Sequence, residues 1–545
     1  MTKNILSLDS DEAMDFLMKS EQYHNFELPE YFDFNPVLRF VAKTIGDKPY
    51  GESLSGNAPA GINDVNFGIM LNKDGKYAVR PLTLCNPYMY YFLVRGLCAP
   101  GNWKRVKAFF EACRVPHIKS CALPVIPDEV ESFYKSATIL NWWNEIEQRS
   151  LELSLKFRYM FVSDITNCYG SINPESIDWA LSMKGTAKAT DANHDIAQSV
   201  IRCLSDMQQG RNIGIPQGSC AFDVVAEVVL GYADLLLHER LQKLFTSEEI
   251  KEDYEILRYR DDYRIFCNNK DLLERISYIL QQVLEELSFR MNSSKTHITC
   301  DVVADSIKAD KLYYIANTPI FNKKGCDFDG IQKHLIFLLL FGRKYPNSGQ
   351  LRTMLSDLDK RIEKKLKPHK ETIDWVTGDD GKLKEPEDDE KEIEVPGKLV
   401  ENVRAMSAVA VQIAIENVAV AHYALRVVSR MTNSLEPEDR NRIANEVREK
   451  LINQPNSTYT KLWLQNMTYS TDVEQHHNPY SNVALCQLVM GHNATLWNNS
   501  WLKPELVRNF PQKSVVNRNT LDKVTPVITF RETRAYNDWV DKNQH

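Results

Sequence analysis

The sequence predicts an α+β fold: a small antiparallel sheet with helices, followed by an all-α C-terminal region. Three observations predict it. An apolar run, Phe157–Ile165, ends in the acid Asp164 and reads as a strand. Two more apolar pairs, Ile256-Leu257 and Ile265-Phe266, flank Tyr259-Arg260-Asp261-Asp262 and read as a β-hairpin. Between and after these runs lie helical patterns, at Ala221–Leu237, Leu272–Leu287 and through most of the chain beyond residue 336.

Residues 1–40 form a helical lead-in. The acid-ending strand is followed by Thr166–Pro174, a turn that leads into a helix. Next comes Gly214-Ile215-Pro216-Gln217-Gly218-Ser219, a Gly-Pro-Gly loop running straight into an apolar helix. The hairpin has the acidic pair at its tight turn. A helix follows it, then Asn292-Ser293-Ser294-Lys295-Thr296. The order is acid strand, Gly-rich loop and helix, double-acid hairpin, helix, lysine.

The paired acids carry the chemistry. Neighbouring carboxylates repel by about 1–4 kcal/mol at contact distance, depending on the local dielectric. A divalent cation between them removes that cost, and hard cations such as Mg²⁺ take carboxylate oxygens together with substrate phosphates. An Asp-Asp pair is also ordinary in a solvated turn, so the third carboxylate, Asp164, carries the argument. The reading requires Asp164 to lie within a side chain's reach of residues 261–262.

These blocks resemble motifs A, B, C and D of the reverse transcriptase palm. Asp164 matches motif A, Gly214–Ser219 the motif B loop, Tyr259–Asp262 the Tyr-x-Asp-Asp box, and Asn292–Thr296 the Asn-x-x-Lys-Thr of motif D. Lys73–Leu82 resembles the basic fingers hairpin over the incoming triphosphate. The resemblance covers roughly residues 40–320 and implies right-hand polymerase fingers and palm. It implies two Mg²⁺ ions, with Mn²⁺ as the substitute, bridged by Asp164 and Asp261. Asp262 supports them, and the main-chain carbonyl of Ile165 is a further ligand. Two such ions about 3.5–4 Å apart stabilise attacking and leaving oxygens together.

The resemblance also assigns substrate contacts. Lys73, Lys76 and Arg80 face the β- and γ-phosphates, with Arg80 able to fork onto two oxygens. Tyr169 is the steric gate under the sugar, which favours deoxynucleotides. Gln217 and Gly218 lie against the templating base and primer. Tyr259 and Arg260 lie at the template and primer, and Arg260 either contacts primer phosphate or partners Asp262. Lys295 either protonates the pyrophosphate leaving group or screens it. Motif A reads Asn-Cys-Tyr where many relatives carry two aromatics, which predicts looser packing near Cys168.

Composition bounds the rest. With 545 residues the chain has room for two or three domains. Met1–Asp11 is polar and acidic, so no signal peptide is expected, and no apolar run reaches membrane-spanning length. Eleven cysteines without a Cys-x-x-Cys pair point to a reducing cytoplasm and no structural zinc. The net charge of −7 is low for a nucleic-acid enzyme. Basic residues must therefore be segregated, as at Gly342–Lys344 and Asp359–Lys367, and the product short or held internally.

The expected organisation is fingers and palm over 1–320, a basic helical connection over 321–367, a flexible charged linker over 368–397, and an α-helical domain over 398–545. Val376-Thr377-Gly378-Asp379-Asp380, inside the linker, contains short polymerase-like strings but is read as a decoy, because no strand is expected around it. A β-like stretch is expected at Val527–Phe530. A helical C-terminal domain without a nuclease is similar to the bacterial abortive-infection and defence-associated reverse transcriptases. That resemblance implies a cytoplasmic homo-oligomer that takes deoxynucleoside triphosphates and makes DNA, with or without a template, in some members on a protein hydroxyl. Tyr459, Tyr469, Tyr480 and Tyr536 are candidates, and the sequence ranks none of them. The alternatives are a retron-like enzyme copying a dedicated non-coding RNA, and a catalytically idle RNA-binding scaffold.

Overall fold

The computed structural model describes residues 3–529, apart from 73–77, 128–133, 249–252, 318–329, 373–375, 378–382, 385–391, 396, 398 and 400–401. Seven strands concern the site: β1 (Phe67–Asn72), β2 (Val79–Leu84), β3 (Ile118–Ser120), β4 (Tyr159–Asp164), β5 (Tyr254–Tyr259), β6 (Asp262–Cys267) and β7 (His297–Thr299). β1 and β2 form a separate antiparallel ribbon. The other five make one sheet in the order β3-β5-β6-β4-β7, antiparallel except for the β3–β5 pair.

The sheet is buried on both faces because side chains alternate along each strand. Phe161, Ile256 and Ile265 enter the main core with Leu273, Ile276 and Leu280 of the Lys270–Glu286 helix. Met160, Leu257 and Phe266 enter a smaller cluster with Ile146, Leu153, Phe157 and Val302. The 29-residue helix Cys220–Glu248 is buried all round from Cys220 to Leu237, and that stretch is apolar apart from three acids. Its buried acids are exceptions and need partners. Glu227 and Asp234 find one in Arg258 of β5, with Nη1 3.0 Å from Glu227 Oε1 and Nε 2.9 Å from Asp234 Oδ2.

The basic connection is two helices, Ile331–Lys344 and Gly349–Leu366. The next tract is not a featureless linker. His369–Thr372 pairs antiparallel with Glu392–Val395, and Val376–Thr377 with Leu383–Lys384, so a strand does lie beside the Gly-Asp-Asp string. Asp379 and Asp380 themselves lie outside the described residues. Val403–Glu416 and Ala421–Thr432 follow as separate helices. The break falls after Asn417, whose left-over backbone turn is 3-10 helical at Val418–Val420. Among the described residues no single helix is long and apolar enough to cross a membrane. The pair Val403–Glu416 and Val418–Thr432 would pass by length and composition, but it bends by 120° and its apolar side chains lie in the core. The helices Pro437–Ile452 and Thr458–Glu474 complete the bundle. Residues 527–529 form no strand; Ile528 is buried and its N–H donates to Ser429 Oγ at 3.1 Å.

The two ends of the chain share one core. One continuous apolar cluster contains both Ile5 and Ile528. After the bundle the chain returns to the lead-in and fingers. Asn498 N–H donates to Asp64 O (2.9 Å), Lys503 N–H to Ser53 O (3.0 Å) and Asn517 N–H to Tyr31 O (2.7 Å). Trp497 Nε1 donates to the Leu84 carbonyl at the end of β2, at 3.1 Å, and its ring meets Phe34 and Phe510 edge-on. Sequence patterns report faces of elements, not which distant segment covers them, so this closure was not legible. Trp497→Ala is expected to cost about 3–5 kcal/mol in denaturant unfolding of the whole chain. A loss below about 1 kcal/mol would show that the returning segment is not part of the core.

Candidate active site

The three acids meet where β4, β5 and β6 end. In the antiparallel register Asp164 stands opposite Asp262, and Asp262 opposite Tyr259. Arg260 and Asp261 are therefore the two loop residues. This corrects the expected hairpin: the tip is Arg260-Asp261, and Asp262 opens β6. Ile165 N–H donates to the Asp261 carbonyl at 3.0 Å, which locks the turn against the strand end. Arg260 has φ +54°, an uncommon conformation for a residue with a side chain. Arg258 Nη1 supports it by donating to the Arg260 carbonyl at 3.2 Å. Asn167, just past Asp164, is likewise left-handed at φ +50°.

The 290–296 segment closes the other side. Asn292 N–H donates to Asp164 O at 2.8 Å, and Thr166 N–H to Arg290 O at 2.8 Å. Asn292 Nδ2 reaches Asp164 Oδ1 at 3.2 Å, and Lys295 Nζ lies 2.8 Å from Asp164 Oδ2. Partial burial works to lower Lys295, but this hydrogen bond and the charges of Asp164, Asp262 and Asp261 leave it raised, so it stays a cation at neutral pH.

Crowding of like charges is visible in the acids. Burial raises the Asp261 carboxyl, and the Asp164 charge raises it further against Arg260 and Lys295. Asp262 is pushed up to about 6, by burial first and then by Asp261 and Asp164, with Lys308 and Lys295 opposing. Among the described residues no group of three His, Cys, Asp or Glu side chains is arranged to hold a metal ion as it stands. The donor set nevertheless fits a hard cation: three carboxylates close enough to perturb one another, on backbone fixed from both sides. Asp164, Asp261 and Asp262 would hold such an ion, next to the Ile165 peptide.

Tyr169 and Arg80 border the acids. Tyr169 Oη donates to Asp223 Oδ1 at 2.5 Å. Arg80 lies on β2; the residue as a whole is exposed, and its guanidinium is the part crowded by protein. Burial lowers its guanidinium, Asp261 and Tyr169 oppose this, and Arg352 and Arg260 add to it. Arg352 comes from the Gly349–Leu366 helix, so the C-terminal tract also brings a cation toward the site. Lys73 and Lys76 lie outside the described residues. Cys168 is buried in the main core, so the expected looseness there is absent.

The motif B loop is held by contacts within the chain. Gly218 has φ +125°, and a Cβ there would lie 3.1 Å from both Phe26 Cε1 and the Thr83 carbonyl. The chain itself therefore makes a close approach that demands glycine here. Gln217 is half-buried, with its carbonyl accepting from Thr83 N–H at 2.8 Å, and the Gly218 carbonyl accepts from Asn25 N–H at 2.9 Å. The loop is thus stitched to β2 and to the lead-in. Tyr259, the ladder partner of Asp262, packs on the smaller cluster. Arg260 pairs with Asp223 rather than Asp262: Nη2 lies 2.7 Å from Asp223 Oδ2. The sequence reading missed Asp223. Its signal was a lone acid in the first turn of an apolar helix.

Residues 109–333 match the reverse transcriptase (RNA-dependent DNA polymerase) family. The chain therefore carries a reverse transcriptase domain, the unit of an RNA-directed DNA polymerase, and such domains work with divalent metal ions. The match contains β3 to β7 and all the acids, and begins after the β1–β2 ribbon. Among solved structures the chain is similar to apo telomerase from Candida tropicalis truncated from its C-terminal domain, at 14% identity and TM-score 0.28. The alignment covers 49% of this chain and 56% of that one. It is also similar to telomerase from Candida albicans in complex with a TWJ fragment of telomeric RNA. There the identity is 11%, the TM-score 0.30, and the coverage 78% of this chain and 67% of that one. No curated protein matches.

The acid pair makes a signed prediction. Between the ordinary carboxylate value, about 3.9, and about 6, the folded chain keeps a proton on Asp262 that the unfolded chain has lost. Ionising Asp262 therefore costs folded-state stability, and the cost is complete above about pH 6. In chelator-containing buffer, Asp262→Asn is expected to melt above the unmutated chain at pH 8, with the gap closing by pH 4. An equal gap at both pH values would remove the electrostatic account.

Proposed function

We propose that this chain is a DNA polymerase of bacterial antiphage defence, RNA-directed or template-independent, adding deoxynucleotides by two-metal phosphoryl transfer. The observation that carries the polymerase reading is the register pairing of Asp164 with Asp262, with Asp261 pinned to Ile165 N–H. When bound at these acids, two Mg²⁺ (or Mn²⁺) ions neutralise charge on the attacking and leaving oxygens. The chain's own groups do the rest. Arg80 forks onto phosphate oxygens of a deoxynucleoside triphosphate at the β2 side. Lys73 and Lys76 add charge there. Tyr169 fills the volume that a 2′-hydroxyl would need. Lys295, an ammonium beside Asp164, supplies a proton to departing pyrophosphate.

The defence role rests on the helical C-terminal tract, which resembles that of abortive-infection enzymes; a cytoplasmic, homo-oligomeric enzyme is part of the same proposal. In the template-free mode a protein hydroxyl would serve as primer. Tyr459 and Tyr480 are 3% and 0% exposed and fit poorly; Tyr469 is partly exposed, and Tyr536 lies outside the described residues. A bound non-coding RNA is the partner in the templated mode.

Asp261→Ala combined with Asp262→Ala is expected to abolish incorporation of labelled deoxynucleotides by the purified full chain. Undiminished incorporation would sink the assignment. Tyr169→Ala is expected to admit ribonucleotides, read as the ratio of kcat/KM for the two sugars; an unchanged ratio would strip Tyr169 of the gate role. Sequencing the product separates the modes, since complementarity to co-purified RNA supports templating and random or homopolymeric DNA rejects it.

A further inference from the structure

One buried carboxylate ties the gate tyrosine to the catalytic hairpin. Asp223 lies in the first turn of the Cys220–Glu248 helix and is 3% exposed. Its Oδ1 accepts from Tyr169 Oη at 2.5 Å. Its Oδ2 accepts from Arg260 Nη2 at 2.7 Å and from Asn25 Nδ2 at 3.1 Å. Its own N–H donates to the Ser219 carbonyl at 3.2 Å, so the acceptor is fixed to the end of the motif B loop. Three separated parts of the chain converge on this carboxylate: the turn after β4, the tip of the β5–β6 hairpin, and the lead-in.

Hydrogen bonds to an ionised acceptor are short and roughly twice as strong as neutral ones. Tyr169 is therefore held at both ends, by its backbone and by its hydroxyl. Burial keeps the phenol protonated, so it remains the donor. Arg260 neutralises the same carboxylate, and its left-handed turn carries Asp261. A ring held only by apolar contact can tilt, and fit alone gives discrimination of only about 10- to 200-fold.

We propose that Asp223 is a positioning residue for sugar selection: it holds the Tyr169 ring and the Arg260-Asp261 turn in one frame, fixing the space that excludes the 2′-hydroxyl of a ribonucleoside triphosphate. The inference rests on the reading of Tyr169 as the gate. It differs from that reading in one respect: the tyrosine hydroxyl matters, not the ring alone.

The test is single-nucleotide incorporation by the full chain, with deoxy and ribo forms of the same base, kcat and KM being measured separately. Tyr169→Phe keeps the ring and leaves the Arg260–Asp223 pair in place. It is expected to lower sugar discrimination by about tenfold, the order lost with one charge-assisted hydrogen bond, chiefly through a lower KM for the ribonucleotide. Asp223→Ala is expected to lower it by at least as much, and the double variant no further than Asp223→Ala alone, since both changes break one link. If Tyr169→Ala loses discrimination while Tyr169→Phe and Asp223→Ala keep it, the gate stands and the inference falls. If Tyr169→Ala also keeps it, the gate reading fails as well. Should Asp223→Ala not fold, Tyr169→Phe decides alone, and unchanged discrimination overturns the proposal.

Discussion

The site depends on holding like charges together. Asp164 and Asp262 are ladder partners, and Asp261 sits on the turn between β5 and β6. Left to themselves, such carboxylates would separate or take up protons. The backbone prevents the first: the Asp261 carbonyl receives Ile165 N–H, and the Asp164 carbonyl receives Asn292 N–H. The raised Asp261 and Asp262 carboxyls are the electrostatic record of that constraint. A site that concentrates negative charge on rigid backbone is prepared for cations and for the phosphates that travel with them.

The rigidity comes from a second layer of charge behind the first. Arg258 is wholly buried and is satisfied by Glu227 and Asp234 of the long central helix. Arg260, two residues on, is paired with Asp223 of the same helix. Asp223, Glu227 and Asp234 recur at intervals of four and seven, so they line one helix face. Removing one member would leave a buried charge unpaired, which is far costlier than the pair is stabilising. The helix and the hairpin are thereby fixed in register with each other.

The fingers and the C-terminal tract are built into this frame rather than appended to it. The Gly214–Ser219 loop bonds to β2 and to Asn25. Glu27 of the lead-in accepts from His422 Nε2 or shares its proton at 2.7 Å, and Tyr423 Oη donates to it at 3.1 Å, so the lead-in reaches the helical bundle. Arg352 of the Gly349–Leu366 helix stands close enough to Arg80 to act on its charge. The returning segment with Trp497 closes the core from the far side. Charge needed at the site is thus drawn from distant stretches of a chain whose net charge is negative.

The residues by themselves fixed the local pieces: an acid-ending strand, a two-acid hairpin, and a Gly-rich loop before a buried helix. These are short-range properties of period, turn chemistry and capping, and they sufficed to point to the three acids. Tertiary structure alone decided what those acids lean on. Asp223 looked like one polar residue on an apolar helix, and Gly218 like room for a ligand. Their partners, Tyr169, Arg260, Asn25, Phe26 and Thr83, arrive from elsewhere in the chain. Which distant groups satisfy a buried charge or fill a space is set by packing, and no local pattern encodes it.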